Sequence, residues 1–140
     1  MRKELEVICR WKELVDEIEG LERELKVIRN TCKHDVVVIT DYCQNTTGHE
    51  SYYEMKCLFC GMEDTQISGQ RFIDVSGERI YGSDQQVFEL VRRLFIKCAK
   101  EHPEKSLDCL VEMVKFKIVT QDEDFHKVIR QLRIPYVRKN

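Results

Sequence analysis

Apolar residues in the first 31 positions recur at alternating steps of three and four, which is the spacing of a heptad repeat. No proline interrupts this segment, so residues 1–31 are predicted to form one long helix. The repeat lasts for more than three heptads, which favours a coiled coil and a homodimer formed through this helix. The heptad seam consists of Val7, Trp11, Leu14, Ile18, Leu21, Leu25 and Ile28.

The same stripe leaves a second interpretation open. Trp11 is bulky for the seam of a two-helix coiled coil, and Ile8 and Val15 widen the apolar face beyond that seam. A broader face is typical of a helix that packs in a bundle. The helix is therefore expected either to dimerise or to pack against the C-terminal helices of its own chain.

From Asp35 onward the pattern changes to extended runs. The stretches "DVVVITD" and "YYEMKC" flank a polar connection that contains Gly, Asn and Thr, which predicts a β-hairpin. Further extended runs are predicted over residues 62–67 and in "RFIDV" and "RIY", the last two joined by a turn at Gly77. Together these runs predict a small antiparallel sheet.

The C-terminal part returns to helical periodicity, with three start signals. Ser83 and Gln86 have the spacing of a capping box, Pro103 suits the first position of a second helix, and Thr120 with Glu123 repeats the box spacing. About three helices are predicted. Their inward faces are expected to carry Val87, Val91, Leu94, Phe95, Cys98, Leu107, Leu110, Val111, Val114, Ile118, Phe125, Val128, Ile129 and Leu132.

Metal-ligand residue types lie at both ends of the predicted hairpin. Cys32 and His34 precede its first strand, and Cys57 and Cys60, followed by Gly61, end its second. A hairpin brings its two ends together, although 22 residues separate His34 from Cys57. Three thiolates and one imidazole suit tetrahedral Zn²⁺. Four protein ligands leave no position for a reacting water, so the zinc is expected to be structural.

The sequence offers alternatives to this assignment. Cys43 or His49, in the hairpin connection, is an alternative to His34 as the fourth ligand. A redox Cys-x-x-Cys pair needs a helix N-terminus after its first cysteine, whereas Cys57 follows a strand. The remaining cysteines occupy helical positions and are expected to be apolar packing groups: Cys9, Cys98 and Cys109.

These patterns predict an α+β protein with a long N-terminal helix, a small zinc-bound antiparallel sheet and a C-terminal helical bundle. The predicted segments are the helix at 1–31, a zinc-stabilised β-rich module at 32–82 and a helical region at 83–140. With 140 residues and 42% hydrophobic content, the chain is long enough to bury a core.

Charge and hydropathy indicate a cytoplasmic protein that does not bind a membrane. The N-terminus has no apolar signal-peptide core, and no run approaches the roughly 20 apolar residues of a membrane span. The net charge is −2, divided as −1 over 1–31, −4 over 32–83 and +3 over 84–140. Nucleic-acid binding is an alternative that needs a concentrated basic face. The candidates for such a face are Arg92, Arg93, Lys97, Lys115 and Lys117.

The span "TCKHDVVVIT…YEMKCLFCG", preceded by a charged helix, resembles small zinc-ribbon-like and zinc-knuckle proteins of Gram-positive bacteria and their phages. The resemblance covers about residues 1–67. It implies a binding module, in a phage or mobile-element protein that targets a host or defence complex, and it implies no reaction.

The sequence accordingly predicts a non-catalytic, zinc-stabilised adaptor or inhibitor with a protein partner. An enzyme is disfavoured because the chain has no Gly-rich phosphate loop, no His-Glu-x-x-His and no nucleophile elbow. The acidic residues of "DEDFH", Asp122 to His126, are explained by the start of a helix.

Overall fold

In the computed structural model, which describes residues 2–43, 51–80 and 82–134, the chain is α+β as predicted. Four helices and four strands follow one another along these residues. By internal contacts the chain divides into two units, Met1–Lys33 and His34–Asn140. The elements are α1 (Arg2–Thr31), β1 (Val36–Cys43), β2 (Tyr52–Cys57), β3 (Glu63–Asp64), β4 (Arg71–Asp74), α2 (Asp84–Glu101), α3 (Leu107–Thr120) and α4 (Glu123–Leu132).

Helix α1 matches the predicted long helix, and it is continuous over 30 residues. Glu4 in its first turn and Arg29 in its last turn have the charges that the helix dipole favours. At its end the Thr31 hydroxyl donates a hydrogen bond to the carbonyl of Val27 at 2.9 Å. None of the described side chains of α1 is buried. The helix is therefore held by its backbone hydrogen bonds and not by a core of its own.

The first two strands form the predicted hairpin. Strands β1 and β2 pair antiparallel, with Val37 opposite Cys57 at one end and Cys43 opposite Tyr52 at the other. The register shifts between Ile39 and Asp41, which marks a bulge or similar irregularity. Strand β3 extends the sheet beyond β2, giving the order β3-β2-β1-β4. Strand β1 is thus a central strand.

The sheet is mixed and not wholly antiparallel, because β4 lies parallel to β1. The predicted second hairpin around Gly77 does not form: β4 ends at Asp74, and residues 79–80 are not in a strand. The reason is visible in β1, whose run Val36, Val37 and Val38 is fully buried. A strand buried on both faces gains from partners on both edges, and β4 supplies the second partner.

One face of the sheet and the three C-terminal helices share a hydrophobic core. Val36 and Val38 of β1 and Ile73 of β4 belong to this core, together with residues of all three helices. Among the described residues, none of the positions 2–33 belongs to it. Its largest fully buried side chains on the helices are Phe88, Leu90, Leu94, Ile118 and Phe125.

The structure confirms one of the three predicted helix starts. The capping box at Ser83 and Gln86 is present, with Ser83 Oγ accepting from the Gln86 amide. Helix α3 is capped by Ser106 and not begun by Pro103, and α4 is capped by Asp122 and not by Thr120. In both cases the oxygen of the capping side chain accepts a hydrogen bond from the amide three residues on, as N-caps do.

An ion cluster joins the three helices on their solvent side. Lys117 Nζ lies 3.0 Å from Asp122 and 2.5 Å from Asp124, and Lys97 Nζ lies 2.6 Å from Asp124. Hydrogen bonds from Lys117 and then Lys97 lower the pKa of Asp124 to about 2. Burial alone would lower the pKa of Lys117, but its hydrogen bonds to Asp124 and Asp122 raise it. Both partners therefore stay charged over the ordinary pH range.

Replacing Asp124 with Asn is expected to lower the free energy of unfolding by about 1 kcal/mol at neutral pH, a modest value because solvent screens the pair. The folded pKa of Asp124 lies below its ordinary value, so its stabilisation is present above about pH 4 and is lost as the pH falls through about 2. Urea unfolding should therefore show that the difference in unfolding free energy between the wild type and Asp124→Asn becomes smaller as the pH falls from 7 to 2.

The matched control is Glu101→Gln, because Glu101 lies 3.9 Å from Lys97 and is half exposed. This variant should follow the wild type at every pH. If the difference in unfolding free energy between Asp124→Asn and the wild type stays constant from pH 7 to 2, the charged form of Asp124 does not stabilise the fold as predicted.

Candidate metal centre

The Cys57 to Cys60 half of the motif forms a tight turn at the end of β2. Cys57 is the last residue of the strand, and residues 58–60 make the turn. The Gly61 amide donates to the Cys57 carbonyl at 3.0 Å, and the Cys57 amide donates to Met62 at 2.9 Å. Gly61 has a φ of 75°, which glycine adopts without strain. This turn is the knuckle that the Cys-x-x-Cys-Gly pattern predicts.

His34 stands immediately before β1 with an unusual backbone. Its φ of 52° lies in the left-handed region, which a non-glycine residue adopts at a cost. This conformation directs the imidazole to the knuckle, where His34 Nδ1 lies 3.4 Å from Cys60 Sγ. A strained backbone that brings a histidine to a cysteine is consistent with a ligand position.

Cys32 completes the set. Only Lys33 separates it from His34, so the chain keeps the two Cα atoms within about 7 Å of each other. The ligand atoms of all four residues lie within 4.8 Å of one another. All four predicted site residues are therefore brought together: Cys32, His34, Cys57 and Cys60.

The spacing of these atoms fits a tetrahedral zinc ion. Zn–S bonds of about 2.3 Å and Zn–N bonds of about 2.0 Å give ligand separations of about 3.5 Å between sulfur and nitrogen and about 3.8 Å between two sulfurs. The distance of 3.4 Å between His34 and Cys60 is close to the first value. Three thiolates and a neutral imidazole around Zn²⁺ carry a net charge of −1.

The surroundings suit an ion that is closed off from solvent. Cys57 and Cys60 are buried, and Cys32 and His34 are partly buried. Amides of the knuckle can donate to thiolate sulfur and offset the negative charge of the site. Residues 58–60 form a turn, so no helix begins after Cys57 as a redox dithiol would require.

The alternative ligands stand elsewhere or outside the described residues. Cys43 pairs with Tyr52 at the far end of β1, about 20 Å along the strand from the knuckle, and its Sγ lies 3.9 Å from Asp41. His49 lies outside the described residues. Of the cysteines expected to pack, Cys98 is buried in the core, Cys109 is partly buried and Cys9 is exposed on α1.

Gly69 supports the site and was not identified from the sequence. A Cβ atom at this position would lie 2.6 Å from Val37 Cγ2 and 2.9 Å from the His34 carbonyl oxygen. The segment before β4 therefore passes against the start of β1 with no room for a side chain. The sequence signal was a glycine in "ISGQ", which by itself indicates only a turn.

A second cluster, of carboxylates, lies near the other end of the hairpin. Ligand atoms of Asp41, Glu54 and Asp84 lie within 4.8 Å of one another, beside a cleft of about 320 Å³. The hydrogen bond with Asp84 raises the pKa of Glu54, and the neighbouring negative charges act in the same direction. Asp41 and Asp84 are exposed, and a solvated acidic surface accounts for this group without an ion.

The chain was compared with models of protein families, with curated proteins and with solved structures, and none of the three comparisons found a match. The resemblance to zinc-ribbon-like and zinc-knuckle proteins therefore stays a prediction. Over the described residues, no helix is long and apolar enough to cross a membrane.

Replacing Cys57 or Cys60 with Ser is expected to abolish stoichiometric zinc, because a hydroxyl does not replace a thiolate ligand. His34→Ala should retain three thiolates and bind zinc more weakly. Cys109→Ser is the matched control, since Cys109 is partly buried but lies on α3, and it should keep one zinc per chain; Cys98→Ser should do the same. Elemental analysis of the purified proteins measures the ratio.

Zinc loss should also reduce stability, because the binding free energy of a structural zinc, on the order of 10 kcal/mol, contributes to folding. A wild-type protein with well under one zinc per chain, whose unfolding is unaffected by a strong chelator, would refute the metal centre.

Replacing Gly69 with Ala is expected to push the start of β1 and His34 apart from the crossing segment, at a cost of about 1–3 kcal/mol in stability and with weaker zinc binding. Gly77→Ala is the control, because a Cβ there meets nothing within 4 Å. Urea unfolding and zinc competition with a chromogenic chelator measure both effects. Equal behaviour of the two variants would show that Gly69 has no such role.

Proposed function

We propose that this chain is a non-catalytic protein-binding module whose knuckle is stabilised by a structural Zn²⁺. The observation that carries the proposal is the convergence of three cysteines and one histidine, two of the cysteines buried, within 4.8 Å. Four protein ligands fill a tetrahedral shell, which is typical of structural zinc and not of catalytic zinc. The metal then serves to hold a surface in shape.

That surface is presented by the knuckle itself. Phe59 lies between the two knuckle cysteines, and its side chain is 42% exposed. Its ring meets Phe95 of α2 edge to face at 5.9 Å, and Arg92 donates to its carbonyl oxygen at 3.4 Å. Phe59 is thus fixed at its backbone and at one ring edge, while the rest of the ring faces solvent. We call this surface the knuckle groove; it is lined by Leu58, Phe59, Arg92, Phe95, Ile96, Ala99 and Lys100.

The chemistry of the knuckle groove defines the partner. Its floor is apolar, and Ile96 is 44% exposed beside Phe59. Lys100 gives its rim positive charge, and Arg92, which also lies 3.7 Å from Glu89, adds less. The complementary ligand is a protein segment that offers an apolar side chain flanked by carboxylates. The narrower idea of an inhibitor acting on a host or defence complex is supported by the sequence resemblance alone.

The nucleic-acid alternative receives less support from the arrangement of basic residues. Lys97 and Lys117 both contact Asp124, and Lys115 lies 3.3 Å from Glu112. Arg92 lies 3.7 Å from Glu89. These carboxylates offset the positive charge that a phosphate backbone would need to meet.

The test is affinity capture from the native host with the zinc-loaded full chain. A protein retained by the wild type should be lost with Phe59→Asp, because a carboxylate in the knuckle groove replaces the apolar contact and repels an acidic ligand. Phe116→Asp is the matched control: Phe116 is exposed on α3 and does not line the groove. Each variant should still contain one zinc per chain.

Two results would contradict the proposal. One is that Phe59→Asp and Phe116→Asp retain the same partners as the wild type. The other is that the wild type captures nucleic acid and gives a shift in a binding assay that weakens steeply with salt.

A further inference from the structure

Among the described residues of the first unit, Met1–Lys33, nothing covers the heptad seam of α1. Every seam residue is at least 40% exposed, and Trp11 is 66% exposed. The second unit has a hydrophobic core built from its own strands and helices. A seam of this length with the spacing of a coiled coil requires a partner helix of the same spacing.

We infer that the partner is the α1 helix of a second copy of this chain, and that the two helices run antiparallel with Asp16 near the two-fold axis. In this register the seam residues face each other where their numbers sum to 32. The residues that flank the seam meet where their numbers sum to 34 on one side of it and to 30 on the other. Three apolar layers then repeat on either side of the axis. They pair Leu14 with Ile18, Trp11 with Leu21 and Val7 with Leu25 of the partner.

The number of buried apolar side chains favours this register over the antiparallel register that is shifted by one heptad toward the N-terminus. The register centred on Asp16 has six apolar layers and places Ile28 against Glu4 at each end. A shift of one heptad in that direction has four apolar layers, places Leu21 against Glu4 and leaves Leu25 and Ile28 outside the seam. It therefore removes two apolar side chains per chain from the seam, each worth about 1.5–3 kcal/mol. The two ion pairs it would add are worth at most about 1 kcal/mol each. The register centred on Asp16 is the more stable.

Charge excludes the opposite shift. A shift of one heptad toward the C-terminus keeps six apolar layers but places Glu17 beside Glu24 of the partner twice. The register centred on Asp16 instead places Arg10 beside Glu24 of the partner twice and sets Val15 against Val15. Its only repulsion is Glu17 against Glu17 at the axis, where both side chains reach solvent.

The parallel arrangement is less favourable for two reasons. It stacks Trp11 on Trp11 at a single layer, whereas the antiparallel pair sets Trp11 against the smaller Leu21. It also places Glu17 beside Glu22 twice, which cancels its two attractions between Glu24 and Arg29. The antiparallel pair keeps a net excess of attractions.

The antiparallel dimer has a consequence for how the chain binds. Residue 31 of each copy lies 15 residues from the axis, so the two helix ends are about 45 Å apart. The second unit follows each of these ends in the chain. The dimer therefore carries two copies of the second unit from opposite ends of one helix pair, which suits a bivalent binder.

Sedimentation of the full chain tests the dimer. The expected mass is about 33 kDa, twice that of the 16.7 kDa chain. Replacing Leu21 and Leu25 together with Glu should give a monomer that still contains one zinc per chain. A wild-type protein that is monomeric at tens of micromolar would overturn the inference.

Charge reversal tests the orientation and register. Arg10→Glu places Glu against Glu24 of the partner, so the dissociation constant should rise about tenfold at low salt. Adding Glu24→Arg should restore it to within about threefold of the wild type. Lys12→Glu, which makes the same charge change away from the seam, should alter it by less than about twofold.

The other arrangements give different results and would overturn the inference. In a parallel dimer Arg10 faces Val15, so Arg10→Glu has little effect, and Glu24→Arg meets Arg29 and weakens the dimer. In the register shifted toward the N-terminus, the dimer of the double variant dissociates more readily than the dimer of Arg10→Glu alone. In the C-terminal shift Glu24→Arg meets Glu17, and the double variant binds more tightly than the wild type.

Discussion

The pairing of β1 with β2 is the constraint on which the rest of the second unit depends. Cys57 stands opposite Val37, three residues after His34, so the ladder itself brings the knuckle to the histidine. A slip of one residue would turn Cys57 to the other face of the sheet and separate the ligands. Burial of Leu58 in the core opposes such a slip, because the slip would also turn this side chain away from the helices. Hydrophobic burial thus fixes the register, and the register fixes the metal ligands.

The parallel strand β4 follows from the same central strand. To reach the free edge of β1, the chain must cross from β3 back to the start of β1, and it does so where Gly69 passes Val37 and the His34 carbonyl. The close passage covers the face of the sheet that the helices leave open, where Val37 and Ile67 are buried. The segment that closes this face also confines the backbone of His34. Packing of the sheet and positioning of the ligand are therefore one arrangement.

The sequence predicted the features that depend on local pattern. The hairpin, the four converging ligands and the helical segments follow from residue spacing and from the geometry of a hairpin. The parallel pairing of β4 was missed, because pairing depends on which edge of β1 lacks a partner. The unbroken apolar run Val36, Val37 and Val38 was the available signal, since it indicates burial on both faces. The caps at Ser106 and Asp122 were misplaced because Pro103 and Thr120 offered competing signals nearby.

A metal bound at the candidate site would stabilise a different part of the second unit from the part that the core stabilises. The helices and one face of the sheet bury Phe88, Leu94 and Phe125 without any contribution from the ligands. The knuckle and the crossing segment have few such residues. Leu58 belongs to that core, and Phe59 contacts it through the ring of Phe95. A structural zinc contributes on the order of 10 kcal/mol, as much as the net stability of a whole domain. Because Phe59 lies between two of the candidate ligands, the exposed surface that we propose for a partner is also the surface that a bound metal would stabilise most.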